Sequence, residues 1–278
     1  MGGRRITLVA VGVAVLATPT IASAVELEPG RMVVYEAGRS VPQSQLVDLG
    51  DPEDLGGTVL SGDPRIAARV DHQRDGVTAG VFQATRGRIR IHFPFTEHAT
   101  ITVGSVTLTD ESGQRRTLRP GDSYLIRQGS TILWDVRGAR VQKSFFNRVE
   151  AADRPGPMRV YDAHDELPQS QLTDLGDPAD LGGTVLSGDP RIAARVDDVS
   201  GPFTAGVFQA TRGDIQIAFP FTEHATVLSR SVTLSDQTGA RRRLGVGDSY
   251  LIRRASSILW QVRQPRVQKS FFNVVEQP

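Results

Sequence analysis

The chain repeats itself at a fixed spacing of 126 residues, and this duplication limits the fold more than any other feature. Residues 41–150 align with 167–276 without a gap, and 80 of the 110 positions are identical. The structural repeats of solenoid proteins are only about 20–50 residues long. A repeat of this length is therefore a whole domain. We predict two domains, residues 29–150 and 158–278, joined by the linker 151–157.

Each repeat reads as a series of short strands separated by turns that contain Gly, Asp or Pro. Residues 88–93 (RIRIHF) alternate apolar and polar side chains, which is typical of a strand with one face on a core. Segments 105–108, 123–126, 131–136 and 141–146 also predict strands, and no window predicts an amphipathic helix. We therefore expect an all-β protein that forms an antiparallel barrel or sandwich twice.

Residues 1–24 are organised like an export signal. A positive start (MGGRR) precedes the apolar run 6–21, and Ala22-Ser23-Ala24 supplies the small residues that a signal peptidase recognises. The run is too short and too interrupted to cross a bilayer, which takes about 20 apolar residues. We predict cleavage after Ala24 and a secreted or periplasmic protein with no membrane contact in its mature form. An uncleaved N-terminal anchor is the alternative.

Charge and cysteine usage exclude several classes of function. After cleavage the chain carries 30 Lys and Arg residues against 31 Asp and Glu residues. This balance leaves no basic field to hold nucleic acid or an anionic membrane. The chain has no cysteine, which excludes disulfides, thiolate metal sites and thiol catalysis.

Two stretches of the first repeat resemble the signature stretches of the cupin superfamily. The first stretch, 95–108 (FTEHATITVGSVTL), has Glu97 seven residues before Gly104. The second stretch, 119–136 (RPGDSYLIRQGSTILWDV), opens with Pro120-Gly121-Asp122. The sequence is most similar to the small cupins that include ureidoglycine aminohydrolase and ethanolamine-utilisation domains. This resemblance implies two tandem jelly-roll β-barrels behind the signal peptide.

The second repeat departs from these signatures in part. Arg230 stands where the first repeat has Gly104, and Val246 stands where it has Pro120. The resemblance nevertheless covers nearly all of both repeats, 34–150 and 160–276.

Many cupins hold a divalent metal with three histidines and a glutamate, and the resemblance identifies the corresponding positions here. They fall on Arg90, His92, Glu97 and Ile132 in the first repeat and on Gln216, Ala218, Glu223 and Ile258 in the second. A tightly held transition metal normally takes three or four protein ligands. We therefore expect no metal cofactor; if a metal is present, His92 and Glu97 would bind it. His98 and His224 directly follow the glutamates and so face the opposite side of the strand.

Glu97 and Glu223 each share a strand face with apolar side chains. A carboxylate on such a face needs a partner or a polar cavity. Two interpretations remain open. The glutamate points inward to bind a ligand or act in acid–base chemistry, or it lies at the barrel rim, solvated or paired with an arginine.

Two patterns disagree about Arg90 and His92. The alternation in residues 88–93 directs Ile89, Ile91 and Phe93 to the core and leaves Arg90 and His92 in water. The resemblance implies the reverse, with Arg90 close enough to pair with Glu97. We follow the resemblance and count Arg90, His92 and, in the second repeat, Gln216 as candidate ligand-binding residues.

Trp134, Lys143 and their copies Trp260 and Lys269 complete the candidate site. A tryptophan here is more often a core residue than a ligand platform, and its indole N–H needs an acceptor such as Glu97. Lys143 shares a strand face with apolar residues and could reach an anion in the cavity, although lysines usually extend their ammonium groups to water.

Three hypotheses about function follow. The leading one is an exported, non-catalytic or weakly catalytic bicupin that binds a small polar or anionic molecule. The second is a metal-dependent hydrolase or isomerase that acts on ureido- or sugar-like substrates through Glu97 and Glu223. The third is a structural shell. In each case we expect the two domains to pack on each other as a pseudo-dimer. Because Arg90 and His92 become Gln216 and Ala218, we expect the two barrels to do different work.

Overall fold

The structure, a computed structural model, describes residues 30–276. The predicted export signal, residues 1–24, lies outside the described residues. The all-β prediction is confirmed: twenty strands make up most of the described chain, and its helices are four short 3-10 turns. None of the helices in residues 30–276 is long and apolar enough to span a membrane.

The first repeat and the strand before it contain ten strands. They are β1 Val33–Tyr35, β2 Val47–Gly50, β3 Thr58–Gly62, β4 Ile66–Arg74, β5 Val77–His92, β6 Thr96–Val103, β7 Val106–Asp110, β8 Arg115–Leu118, β9 Ser123–Ile126 and β10 Thr131–Arg148, with 3-10 turns at Gln43–Gln45 and Pro52–Leu55.

The second repeat has the same elements in the same order. They are β11 Arg159–Tyr161, β12 Thr173–Gly176, β13 Gly183–Gly188, β14 Ile192–Ser200, β15 Phe203–Ala218, β16 Thr222–Ser229, β17 Val232–Ser235, β18 Arg241–Leu244, β19 Ser249–Ile252 and β20 Ser257–Val274, with 3-10 turns at Gln169–Gln171 and Pro178–Leu181.

Two of the predicted strands, 131–136 and 141–146, are parts of the single long strand β10. Its pairing with β5 shifts register between Val136 and Arg140. The shift is a β-bulge, which bends a strand without ending it.

The strands form two ten-stranded antiparallel sheets, and each closes around its own apolar core. Barrel 1 has the strand order β11-β9-β6-β10-β5-β4-β2, and barrel 2 has the equivalent order β1-β19-β16-β20-β15-β14-β12. In each barrel, three further strands pair at the side: β3 on β5, β7 on β10 and β8 on β7, with the same arrangement in barrel 2. Trp134 and Trp260 lie in the two cores.

The first strand of each repeat pairs with the barrel of the other repeat. β1 runs antiparallel to β19 of barrel 2, and β11 runs antiparallel to β9 of barrel 1. A third apolar cluster lies between the barrels and draws on both repeats, including Tyr35, Phe146 and Phe272. The two barrels therefore share hydrogen-bonded strands as well as an apolar contact surface.

Candidate functional site

Glu97 points into barrel 1. It lies on β6 with Ala99 and Ile101, and all three side chains are buried. The intervening residues His98 and Thr100 are buried on the opposite face of the strand, toward barrel 2. Glu97 therefore points inward and is not a solvated residue at the rim, while its role in ligand binding or acid–base chemistry stays a prediction.

Lys143 is the partner of Glu97. The Nζ atom of Lys143 lies 2.5 Å from Oε1 of Glu97 and 2.9 Å from the hydroxyl oxygen of Tyr124. The Tyr124 hydroxyl donates to the same carboxylate oxygen at 2.7 Å. These three side chains, which we call the lumen triad, form a closed hydrogen-bonded set inside the barrel.

Aromatic rings surround the ammonium group of Lys143. Its Nζ atom lies 4.8 Å from the ring centroid of Trp134, 5.2 Å from that of Phe82 and 5.5 Å from that of Tyr124. A cation within about 6 Å of a ring centroid is attracted by the negative face of the ring. The ammonium is thus held by one carboxylate, one hydroxyl and three aromatic rings, an environment suited to a positive charge.

Burial shifts the pKa values of Lys143 and Tyr124. Desolvation lowers the pKa of Lys143, while the carboxylate of Glu97 acts in the opposite direction. Desolvation also raises the pKa of Tyr124 well above its ordinary value, and Glu97 adds to that effect. At neutral pH the Tyr124 hydroxyl therefore keeps its proton and acts as a hydrogen-bond donor.

The indole nitrogen of Trp134 has no hydrogen-bond partner among residues 30–276 although it is buried. The sequence suggested Glu97 as its acceptor, but Oε1 of Glu97 receives Lys143 and Tyr124 instead. A buried N–H without an acceptor costs about 1–3 kcal/mol, so such a group calls for an explanation.

Barrel 2 repeats this arrangement with the same geometry. Nζ of Lys269 lies 2.5 Å from Oε1 of Glu223 and 2.9 Å from the Tyr250 hydroxyl, which donates to Glu223 at 2.7 Å. The Trp260 indole nitrogen is again buried without a partner in the described chain. The second triad, Glu223, Lys269 and Tyr250, is thus equivalent to the first.

Arg90 and His92 do not reach the lumen, so the expectation taken from the resemblance is wrong for them. Both side chains are exposed on the outer face of β5, while Ile89 is buried in the barrel core. Gln216 likewise lies on the outer face of β15 and donates to Ser257 Oγ at 2.8 Å. The alternation of the strand gave the correct orientation, since burial of the isoleucines outweighs the positions implied by distant relatives.

The expected salt bridge between Arg90 and Glu97 is therefore replaced by the one between Lys143 and Glu97. The sequence ranked Lys143 and Lys269 as weak candidates because lysine ammonium groups usually reach water. Both lysines are only 5% exposed and lie at the centre of their sites. The tyrosines of the triads were missed. Their signal was the placement of Tyr124 and Ile126 on one face of the segment SYLI, which both repeats contain.

The residues in the lumen do not fit a divalent metal held in the cupin manner. Ile132 lies in the apolar core, and Arg90 and His92 are outside the barrel. The remaining ligand position, Glu97, binds an ammonium group that occupies the neighbourhood of its carboxylate. Within the described residues, no group of three or more metal-ligating side chains comes together.

Comparison with known proteins is consistent with this fold. The family description of the EutQ-like cupin domain matches twice, over residues 72–145 and 198–271, which together make up just over half of the chain. The chain resembles no curated protein at a significant level.

Among solved structures, a protein of unknown function of the DUF861 family from Pseudomonas syringae pv. tomato has a TM-score of 0.68 at 19% identity, covering 88% of this chain and 100% of its own. A putative glyoxylate-induced protein from Pseudomonas aeruginosa has a TM-score of 0.50 at 11% identity, covering 94% of each chain. A cupin 2 conserved barrel domain protein from Leptotrichia buccalis has a TM-score of 0.50 at 10% identity, covering 86% of this chain and 100% of its own. At these identities the likeness shows the fold alone.

Proposed function

The chain belongs to the EutQ-like cupin family, with one such domain in each repeat. We propose that its barrels bind a small polar molecule through the lumen triads. The single observation that carries this proposal is the buried indole N–H of Trp134 beside the triad, which recurs at Trp260. Buried polar groups in folded proteins nearly always have a partner. A bound molecule with an oxygen acceptor would supply it.

The ammonium group of Lys143 offers a second donor to the same molecule. A lysine ammonium has three N–H bonds, and two of them are directed to Glu97 and Tyr124. The third remains for an acceptor near the Trp134 ring, over which the ammonium lies. A carbonyl or hydroxyl oxygen between the two donors would satisfy both.

Charge favours a neutral molecule over an anion. The positive charge of Lys143 is already compensated by Glu97 within hydrogen-bond distance. An anion would have to compete with this carboxylate in a setting where an extra buried charge is expensive. We therefore narrow the ligand class from polar or anionic to small, polar and uncharged.

The positions of the tryptophans allow ligand binding to be followed separately in each barrel. The chain has only two tryptophans, one in each barrel. The indole region of a ¹⁵N-correlation spectrum will therefore contain two signals, which Trp134→Phe and Trp260→Phe assign by removing one each. Acetamide and methylurea serve as uncharged probes, and acetate serves as the charged counterpart.

We expect the uncharged probes to move both indole signals and acetate to move neither. Lys143→Met should abolish the response of the Trp134 signal and leave that of Trp260 in place. Indole signals that stay fixed throughout the titrations would reject ligand binding in the lumen. A response to acetate alone would reject the uncharged class.

A structural role is the second candidate function. The observation that favours it is the ammonium of Lys143 itself, which already fills the space between Glu97 and three aromatic rings. In this case the triads only stabilise the interior of each barrel, and the protein is a structural shell of two barrels. The same titration distinguishes the two functions, because triads that only stabilise the fold leave the indole signals unchanged with every probe.

We also propose that the protein works outside the cytoplasm. The support is the positive start, apolar run and small-residue site of residues 1–24. N-terminal sequencing of the protein recovered from the medium or the periplasm should begin at Val25. A protein that stays in the cytoplasm with Met1 intact would contradict this proposal.

A further inference from the structure

A groove of about 390 Å³ lies on the outer surface of barrel 1, away from the lumen. Three segments line it: Ser61–Gly62 at the end of β3, residues 86–88 of β5 and residues 135–137 of β10. The register of the sheet shifts next to the groove on both sides of β5. Such bulges redirect side chains and occur often beside binding sites.

Arginines dominate this groove. Arg86, Arg88 and Arg137 line it together with a single carboxylate, that of Asp135, which accepts from Arg137 Nε at 3.2 Å. Arg86 and Arg88 are exposed and form no salt bridge within residues 30–276. Arg90 extends the row, since residues two apart on a strand share a face at a spacing of about 7 Å.

Barrel 2 has the same backbone here but a different set of charges. Its register shifts occur at equivalent places beside β13 and β15. Asp214 replaces Arg88 and Gln216 replaces Arg90. Asp214 accepts from Arg263 Nη2 at 3.1 Å and from Gln261 Nε2 at 3.3 Å, so its carboxylate is paired within this surface.

The two repeats therefore differ in charge at this outer surface. The exchange of Arg88 for Asp214 alone reverses a charge. In barrel 1, Arg137 pairs with Asp135 but Arg86 and Arg88 have no carboxylate partner among residues 30–276, whereas in barrel 2 Arg263 pairs with Asp214. Unpaired guanidinium groups arranged along a groove are suited to bidentate contacts with oxyanions.

We propose that the barrel 1 groove binds a ligand with two or more closely spaced oxyanion groups, carboxylate or phosphate, and that the equivalent surface of barrel 2 does not. Arg88 and Arg90 contact neighbouring oxyanions, and Arg86 and Arg137 close the two sides of the groove. This site shares no residue with the lumen triads, so the failure of one proposal leaves the other unaffected. The shared chemistry could come from a free polycarboxylate or from an acidic polysaccharide chain.

The test exchanges residues at positions where the two repeats differ. In the full chain, Arg88→Asp with Arg90→Gln gives barrel 1 the residues that barrel 2 carries at the same register, so the sheet is known to accommodate them. The reciprocal change, Asp214→Arg with Gln216→Arg, transfers the row to barrel 2. Citrate and oligogalacturonate are titrated by calorimetry at low and high salt, and they distinguish the free from the polymeric source.

A control variant accounts for net charge. Arg242→Asp with Arg243→Gln makes the same change in charge on β18, where both arginines are exposed and far from the groove in sequence. Surface ion pairs are individually weak and screened by salt.

We expect one anion per native chain, binding about tenfold weaker after the barrel 1 change, and two anions per chain after the reciprocal change. The control variant should bind like the native chain. Equal affinity in the native chain and the barrel 1 variant would overturn the proposal. An equal loss in the control variant would also overturn it, because net charge alone would then explain the binding.

Discussion

At the scale of single residues, the centre of each barrel is defined by a buried ion pair. Glu97 and Lys143 are 2% and 5% exposed, so both charges have lost most of their water. Desolvation of two charges often cancels their attraction, and the value of such a pair appears mainly when one partner is removed. The hydroxyl of Tyr124 and three aromatic faces provide the additional contacts that a buried pair needs.

The first prediction tests this pair. Lys143→Met should lower the free energy of unfolding by about 3 kcal/mol, because Glu97 is left buried without a counter-charge. Adding Glu97→Gln to Lys143→Met should restore about half of that loss, because no charge then remains buried. Urea denaturation followed by tryptophan fluorescence measures both variants. Losses that simply add in the double variant would show that the two side chains act independently.

At the scale of elements, the exchanged strands fix how the barrels sit together. The backbone N–H of Ala37, just after β1, donates to Asp248 Oδ1 at 2.9 Å, and that of Ala163 donates to Asp122 Oδ1 at 2.9 Å. Asp122 belongs to the Pro-Gly-Asp turn by which the sequence resembles cupins. In this chain the aspartate of that turn therefore holds the arm of the other repeat.

Two glycines make the close approach of these turns sterically feasible. A Cβ atom on Gly247 would lie 2.7 Å from the Cα atom of Gly121 and 3.0 Å from the Cβ atom of Ala37. Gly247 also has a positive φ of 88°, which L side chains rarely adopt. Both conditions require glycine at the point where the repeats touch.

The second prediction separates these two effects. Gly247→Ala should cost about 3 kcal/mol of folding free energy, because the conformational cost adds to a backbone clash. Gly239→Ala is the matched control, since its φ is 82° and nothing lies within 4 Å of the added atom. It should cost only ~1 kcal/mol. Thermal or urea unfolding measures both, and equal losses would contradict the close contact.

At the scale of the whole molecule, a hydrogen-bond chain crosses the boundary between the barrels. Nδ1 of His98 lies 2.8 Å from Nδ1 of His224, so one ring donates and the other accepts. Nε2 of His98 contacts Ser270 Oγ at 3.2 Å, and Nε2 of His224 contacts Ser144 Oγ at 3.1 Å. The two rings lie between the repeats and are fully buried.

The third prediction concerns pH. Burial lowers the pKa of His98 to about 3, and burial together with His98 lowers that of His224 well below its ordinary value. The unfolded chain binds protons at these rings near pH 6.5, whereas the folded chain does not. Stability from the neutral pair is therefore complete above pH 6.5 and decreases toward pH 3, by about 1.4 kcal/mol per pH unit for each histidine.

Urea denaturation at pH 7.5 and 4.5 measures this dependence. His98→Asn with His224→Asn keeps an amide pair between the barrels but removes both titrating rings. We expect this variant to be less stable at pH 7.5 yet to lose several kcal/mol less on acidification. Carboxylates elsewhere contribute equally to both proteins, so parallel pH profiles would show that the histidines are not responsible.

The sequence by itself determined the number of domains, their all-β class and their family. Duplication without gaps, alternation of apolar residues and the two signature stretches are local patterns, and local patterns are sufficient for these conclusions. Alternation also gave the correct side for Arg90 and His92, where the inference from distant relatives failed. The apolar neighbours of Glu97 on β6 left both an inward and a rim position open, and only the structure shows that Glu97 is buried.

Only the tertiary structure decided what Glu97 meets. Lys143 is 46 residues away along the chain and Tyr124 is 27 residues away, and strand pairing of β6 with β10 and β9 brings them together. The meeting of His98 with His224 and the exchange of β1 and β11 are likewise set by how the barrels pack. Such contacts join residues far apart in sequence, and no periodicity within one segment encodes them. The duplication therefore has a reciprocal counterpart in the structure, because the first strand of each repeat pairs with the sheet of the other repeat.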